Sequence, residues 1–173
     1  MTSAERIKTA VERSTKALQL KPSLGFGTRK SKTRVKEGLT CEITEGDWKF
    51  ITDMPEGVGG NASGPTPGVL GRAAFGSCLA ITYMLYAAKK NIPIENLEVD
   101  VEADFDDGAL LGTQDIPPGY SQVRYTVTID SDASEEELME LIDDADAHSP
   151  YLDVFSRGQE CIRKVNIVHS KAQ

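Results

Sequence analysis

The sequence predicts an α+β fold in which antiparallel sheets pack around a buried central helix, and three observations carry that expectation. Four segments alternate apolar and polar residues with a period of two, as strands with one wet face do. Two others carry a capping box just ahead of apolar residues at helical spacing. Between these groups, residues 67–90 form a long stretch that is apolar on nearly every side. Runs of strands interrupted by single helices belong to an α+β arrangement rather than to alternating parallel α/β units.

In chain order, residues 3–20 read as a helix: Thr2 and Glu5 are spaced as a capping box, and Ile7, Val11, Ser14 and Leu18 lie along one side. Residues 1–22 are expected to dock as an N-terminal helix on a core spanning 25–169, within one domain of 173 residues. After Pro22, Gly25 and Gly27 the pattern turns β-like. Leu39, Cys41 and Ile43 alternate with polar residues, Glu45-Gly-Asp47 reverses the chain, and Trp48, Phe50 and Thr52 alternate back. This hairpin places Cys41 on its apolar side, as a buried structural cysteine.

Residues 53–66 hold too much glycine and proline for regular structure. Thr66 followed by Pro67 marks a helix start, because threonine caps and proline has no donor to waste in the first turn. The helix runs to about Lys90. Its composition predicts burial on most sides, and Gly71 and Gly76 predict close approach of another backbone. One small sheet cannot cover such a helix, so an obligate homodimer is expected.

Leu97, Val99, Val101, Ala103 and Phe105 predict one strand and Val123, Tyr125, Val127 and Ile129 an antiparallel second, on either side of a loop over 106–120. Ser134 and Glu137 open another helix, with Leu138, Leu141, Ile142 and Ala145 as its apolar stripe, ending before Pro150. Cys161 to Val168 reads as a last strand.

A hydrophobic content of 39% suffices for a core. The most apolar run, Val69 to Ala88, is interrupted by Gly71, Arg72, Gly76 and Ser77, so no membrane span is expected. Charges occupy the N-terminus where a secretory signal would be apolar, and cytoplasmic residence is expected. Cys41, Cys78 and Cys161 are odd in number and lack Cys-x-x-Cys spacing, which argues against a disulfide framework or structural zinc. His148 and His169 are too far apart for metal-ligand spacing and read as ordinary surface or strand histidines; no metal or cofactor is expected.

The net charge of −8 is unevenly spread. Residues 1–36 hold ten of the 19 Lys/Arg and only Glu5 and Glu12 among the acids. The basic run Thr28 to Lys36 contains no aromatic residue and sits on an acidic body that would repel phosphate, so it reads as a solvated strand, or one facing an acidic partner chain, and nucleic acid is not expected as a partner.

Cys78 stands inside the central helix, which is entered through the long glycine-rich loop. Position alone leaves an inert packing cysteine and a nucleophile both open. The stretch Gly59-Gly-Asn-Ala-Ser-Gly-Pro-Thr-Pro67, followed by Val69-Leu-Gly-Arg-Ala-Ala-Phe-Gly-Ser-Cys78, resembles the OsmC/Ohr family of osmotically inducible and organic-hydroperoxide-resistance proteins. The order of elements agrees over residues 25–169. The resemblance implies an intertwined α+β homodimer with a hairpin-rich N-terminal sheet, a reactive cysteine on the central helix, a strand pair, a second helix and a final strand. It also implies that the 53–66 loop borders the cleft leading to Cys78.

For activity, the resemblance implies a thiol peroxidase in which the Cys78 thiolate attacks an organic hydroperoxide and becomes a sulfenic acid. Cys78 lies eleven residues beyond Pro67, past the reach of the helix dipole, so an external cation is needed to lower a thiol pKa from about 8.5. Arg72, six residues before Cys78 at about 100° per residue, lies on another face. The family draws its arginine from the N-terminal β region; of Arg29 and Arg34, the latter is the candidate because it lies nearer the hairpin.

Two positions depart from the family pattern. Gly68 stands where a glutamate holds that arginine, and in Ala147-His-Ser-Pro-Tyr151 Ser149 stands where a second cysteine precedes proline. Serine cannot form the disulfide that resolves a sulfenic acid. Three readings follow. The first is a one-cysteine peroxidase that uses an organic hydroperoxide and an external thiol reductant. The second is a non-catalytic member that binds a small apolar molecule or a protein partner near Cys78. The third, a basic-armed nucleic-acid binder, rests on residues 28–36 alone.

Overall fold

In the computed structural model, which describes residues 1–169, the elements follow in the order α1 (Ser3–Leu20), β1 (Lys32–Glu37), β2 (Thr40–Glu45), β3 (Trp48–Thr52), α2 (Pro67–Lys90), β4 (Asn96–Asp104), α3 (Asp107–Leu110), β5 (Gln122–Asp130), α4 (Glu135–Asp146) and α5 (Pro150–Ser156). The strands form two antiparallel sheets, β1-β2-β3 and β4-β5, giving the α+β architecture that the alternation patterns predict. Both turns of the first sheet contain a glycine at positive φ, Gly38 (+53°) and Gly46 (+55°). A tight turn with glycine in that conformation matches the right-handed twist of the strands it joins.

The core lies between α2, α4 and the inner face of β4-β5. Phe75, Leu79, Tyr83 and Ala87 of α2 meet Leu141 and Ala145 of α4, with Val99, Val101, Val123, Tyr125 and Val127 packed against them. Burying a side chain such as Leu79 or Phe75 contributes about 1.5–3 kcal/mol. Both strands of this sheet alternate half-buried and exposed residues along their whole length. The Thr66 side chain caps Val69 N–H, and the Ser134/Glu137 box closes in both directions, so both helix starts fall where the caps place them.

By length and composition α2 is long and apolar enough to cross a membrane. In the fold it is a core helix, flanked by β4, α4, α1 and α5. Gly76 explains part of that packing: a Cβ there would stand 3.1 Å from Val101 Cγ2 and 3.7 Å from the Val99 carbonyl oxygen, so β4 approaches α2 closely. Gly71 has no such neighbour, only the Tyr120 hydroxyl at 3.7 Å.

Several expectations are corrected. The central helix is not buried on most sides within one chain: Val69, Ala73, Ser77, Ile81 and Leu85, each four residues on from the last, form an exposed stripe. Ile81 is 61% exposed, because the elements packed on α2 leave one of its sides uncovered. Residues 161–168 form no strand; a strand needs a neighbour for its backbone groups, and nothing among the described residues pairs with this exposed segment. His169 likewise lies outside any strand. On α1 only Ile7, Val11 and Ala17 are clearly apolar and partly covered, whereas Ser14 and Leu18 face out. Cys41 is half-buried, not enclosed. Helix α5, whose Ser149-Pro150 start repeats the Thr66-Pro67 pattern, adds an element that the sequence reading leaves out, as does the one-turn α3 inside the 106–120 loop.

The 53–66 loop is a closed structure with its own anchor. Its ends meet where Asp53 N–H and the Thr52 hydroxyl both donate to the Pro65 carbonyl, at 3.2 and 2.6 Å. Asp53 is 1% exposed. Its carboxylate accepts from the Thr40 and Ser63 hydroxyls and from Met54, Asn61 and Ser63 N–H. Hydrogen bonds from Ser63 first, then from Met54 and Thr40, outweigh desolvation and hold this carboxyl well below the ordinary range.

Candidate functional site

Cys78 lies at the border between the buried side of α2 and its exposed stripe, and is half-buried. Its Sγ stands 3.9 Å from Ser149 Oγ, within reach of a hydroxyl–sulfur hydrogen bond. Ser149 is 2% exposed and occupies the N-cap position of α5, yet its side chain makes no capping bond; the hydroxyl is turned toward the thiol instead. The fold therefore brings together residues 71 positions apart, and the Ser149 hydroxyl faces the candidate nucleophile.

The turn that carries Ser149 is tightly held. Ala147, His148 and Ser149 N–H donate to the carbonyls of Asp143, Ala145 and Asp146 at 3.1, 3.0 and 3.2 Å. Asp146, the last residue of α4, accepts hydrogen bonds from Tyr83 Oη on Oδ1 and from Tyr125 Oη on Oδ2, both at 2.7 Å. Burial first, and then the Asp146 carboxylate, push the Tyr83 phenol well above its ordinary value and the Tyr125 phenol up to about 12, so both hydroxyls keep their protons and donate.

Arg34 sits elsewhere. It is exposed on β1 opposite Glu42, whose carboxyl is held low by Lys49 at 2.7 Å, with Lys36 and Arg34 adding to the effect. The first sheet makes no substantial packing against α2, so one chain does not join Arg34 to Cys78. Arg29 is exposed and outside any strand. Arg72 directs Nη1 to Tyr120 Oη at 3.4 Å, and that hydroxyl donates to the Gly68 carbonyl at 3.2 Å. At Gly68 a backbone carbonyl and a tyrosine hydroxyl thus take the polar contacts.

Cys41, Cys78 and Cys161 are all free thiols, and Cys161 is exposed. Among the described residues no group of three or more His, Cys, Asp or Glu is placed to hold a metal ion. His148 bonds the Asp144 carbonyl through Nδ1 at 2.7 Å and stacks on Tyr86. A groove of about 340 Å³ runs between α2 and β4, past Arg72, Gly76 and Val101. A second of about 350 Å³ lies beside α5 and is walled by Phe75, Tyr120, Tyr125 and Phe155. The 53–66 loop lines neither of these two.

A family model described as OsmC-like protein matches residues 59–162, which include Gly68, Cys78 and Ser149. Solved structures with the same fold include an OsmC-like protein from Mycoplasma pneumoniae, 20% identical with a TM-score of 0.65 over 75% of this chain and 88% of that one. An organic hydroperoxide resistance protein OsmC from Legionella pneumophila is 20% identical with a TM-score of 0.57, over 76% and 90% of the two chains. One from Elizabethkingia anophelis is also 20% identical, with a TM-score of 0.57 over 75% and 88%. No curated protein sequence matches the chain.

Proposed function

This chain belongs to the OsmC-like family, and from that premise we propose that it is a redox protein acting as a one-cysteine thiol peroxidase on organic hydroperoxides. The observation that carries the reading is one pair: a half-buried thiol, Cys78, facing a buried serine hydroxyl, with Cys41 and Cys161 both free. In the reaction the Cys78 thiolate attacks the terminal oxygen of the hydroperoxide. The S–O bond forms as the O–O bond breaks, and the departing alkoxide takes a proton and leaves as an alcohol. Sulfur is oxidised to the sulfenic acid and the peroxide is reduced. An external small thiol then condenses with the sulfenic acid, releasing water, and a second thiol reduces the mixed disulfide.

The thiolate needs a positive charge, and among the described residues the Cys78 side chain is hydrogen-bonded to Ser149 rather than to a cation. The exposed stripe of α2 and the fully exposed strand β1 support an intertwined homodimer, in which Arg34 of a second copy supplies that charge. The same reading places the protein in the cytoplasm, in defence against oxidative stress, with no nucleic acid or membrane as partner.

A second reading is favoured by Gly68, whose carbonyl bonds Tyr120 where the family pattern has a glutamate clamp. Under it the protein binds a small apolar molecule or a protein partner near Cys78 without turnover. Mass spectrometry after stoichiometric organic hydroperoxide, with and without dimedone, separates the two. The peroxidase reading expects a single dimedone adduct on Cys78, absent in Cys78→Ser. An unmodified Cys78 in folded protein leaves the binding reading.

A further inference from the structure

Helix α4 ends against its own dipole. Its last turn holds Asp143, Asp144 and Asp146 and no basic residue, although the C-terminal end of a helix favours cations. Asp144 is answered by Lys90 Nζ at 2.6 Å. Asp146 has no cation within ion-pair distance among the described residues; its two oxygens are occupied by the Tyr83 and Tyr125 hydroxyls. A carboxylate set there without a cation is unfavourable for the helix and needs a compensating contact.

That contact is one rung of a two-rung ladder. Cys78 and Tyr83 lie five positions apart on the rigid α2, and Asp146 and Ser149 lie three apart in the hydrogen-bonded turn between α4 and α5. One rung is Tyr83–Asp146 at 2.7 Å and the other is Cys78–Ser149 at 3.9 Å. Tyr125 pins the same carboxylate from β5, so two elements, α2 and β5, fix the turn. Both backbone segments are hydrogen-bonded between the rungs, so a shift of the turn at the first rung is carried to the second.

We propose that Asp146 is a positioning residue: held by Tyr83 and Tyr125, it sets the Ser149 hydroxyl against Cys78 and thereby sets the reactivity of that thiol. The inference rests on Cys78 being the reactive centre, and on nothing further in the peroxidase reading. A hydroxyl that donates to a thiolate favours it over the thiol, so losing the donor moves the ionisation midpoint upward. The titratable groups around the ladder include Tyr83, Tyr86 and Lys90 on α2, Tyr125 on β5, and Asp144, Asp146 and His148 at the end of α4.

The test is the pH dependence of Cys78 alkylation by iodoacetamide, followed on the Cys78 peptide by mass spectrometry so that Cys41 and Cys161 do not interfere. Losing one weak hydroxyl donor to the thiolate corresponds to a fall of about 3- to 10-fold in alkylation rate below the midpoint. Ser149→Ala, Asp146→Asn and Tyr125→Phe are each expected to raise the midpoint, and the Asp146→Asn/Ser149→Ala double variant no further than Ser149→Ala alone. Tyr125→Phe removes a single hydroxyl and decides the matter if Asp146→Asn fails to fold. An unmoved midpoint in the Asp146 and Tyr125 variants, with only a lower melting temperature, overturns the proposal. So does a lowered midpoint in Asp146→Asn, which marks the carboxylate as a through-space charge, or a Ser149→Ala variant that changes nothing. Alkylation needs no peroxide, so a protein that shows these shifts but ignores hydroperoxides refutes the peroxidase reading and leaves this one standing.

Discussion

Replacing Ser149 with cysteine puts a second sulfur beside Cys78 and measures the site geometry directly. The present Sγ–Oγ separation is 3.9 Å and a disulfide bond is about 2.05 Å, so the two atoms must approach by roughly 2 Å. A longer Cβ–S bond and small χ1 rotations on both residues cover most of that distance. The cross-link closes a loop of 71 positions, for which the chain-entropy relation gives about 4.4 kcal/mol at 25 °C. At about 2–4 °C per kcal/mol for a chain of this size, the oxidised variant is expected to melt roughly 9–18 °C above its reduced form. Strain in the closed geometry lowers that figure. The assay is non-reducing peptide mapping of Ser149→Cys after one equivalent of organic hydroperoxide, paired with thermal melts with and without reductant. A peptide pair linking Cys78 to the introduced sulfur at position 149, with a raised melting temperature, is the expected outcome. No such link in folded, oxidised protein, or a Cys78–Cys161 link in its place, refutes the assignment of Ser149 to the second-cysteine position.

Two further outcomes test the frame around the site. Asp53 has a folded-state pKa below its unfolded value, so its contribution to stability is present above the ordinary carboxylate range and is lost as pH falls through the folded value. Urea melts of the native protein are expected to weaken below about pH 4, and Asp53→Asn is expected to be less stable at pH 7 but flatter across that acid range; a parallel pH dependence in the two would dismiss the loop anchor. Ile81 sits in the middle of the exposed stripe of α2, so Ile81→Lys removes nothing from the core of one chain and puts a charge where the proposed second copy would need an apolar contact. Light scattering is expected to show a dimer for the native protein and loss of that dimer, with loss of stability, for the variant; a native monomer at micromolar concentration would discard the dimer.

How much of this was legible in the sequence depends on the range of the forces involved. Helix starts at Thr2, Thr66 and Ser134 are set by side chains that reach three residues along the chain, and all three caps form as the spacing says. β4 and β5 follow from alternation and are half-buried and exposed in turn, whereas β2 and β3 form where the pattern places them without that alternation of burial, and Trp48 and Phe50 are exposed. Pro150 in the first turn of α5 is a start signal of equally short range, although Ser149 makes no capping bond there. A family motif placed Cys78, Gly68 and Ser149 as the positions to watch, although composition and spacing alone left the cysteine as an inert packer or a nucleophile.

Everything that joins distant segments was decided by tertiary structure. Alternation in residues 161–168 promises a strand, but a ladder needs an edge to pair with, and among the described residues the single chain offers it none. The apolar surface of α2 is legible residue by residue, yet which stripe stays uncovered depends on where β4, α4 and α1 come to lie. Three aspartates in the last turn of α4 are visible as a violation of the helix dipole, but not the reason for it: Tyr83 lies 63 positions from Asp146 and Tyr125 lies 21, and only packing brings both hydroxyls to one carboxylate. The 3.9 Å between Cys78 and Ser149 has the same origin, since a contact across 71 positions is specified by the burial of Phe75, Leu79, Leu141 and Ala145 and by no pattern along the chain.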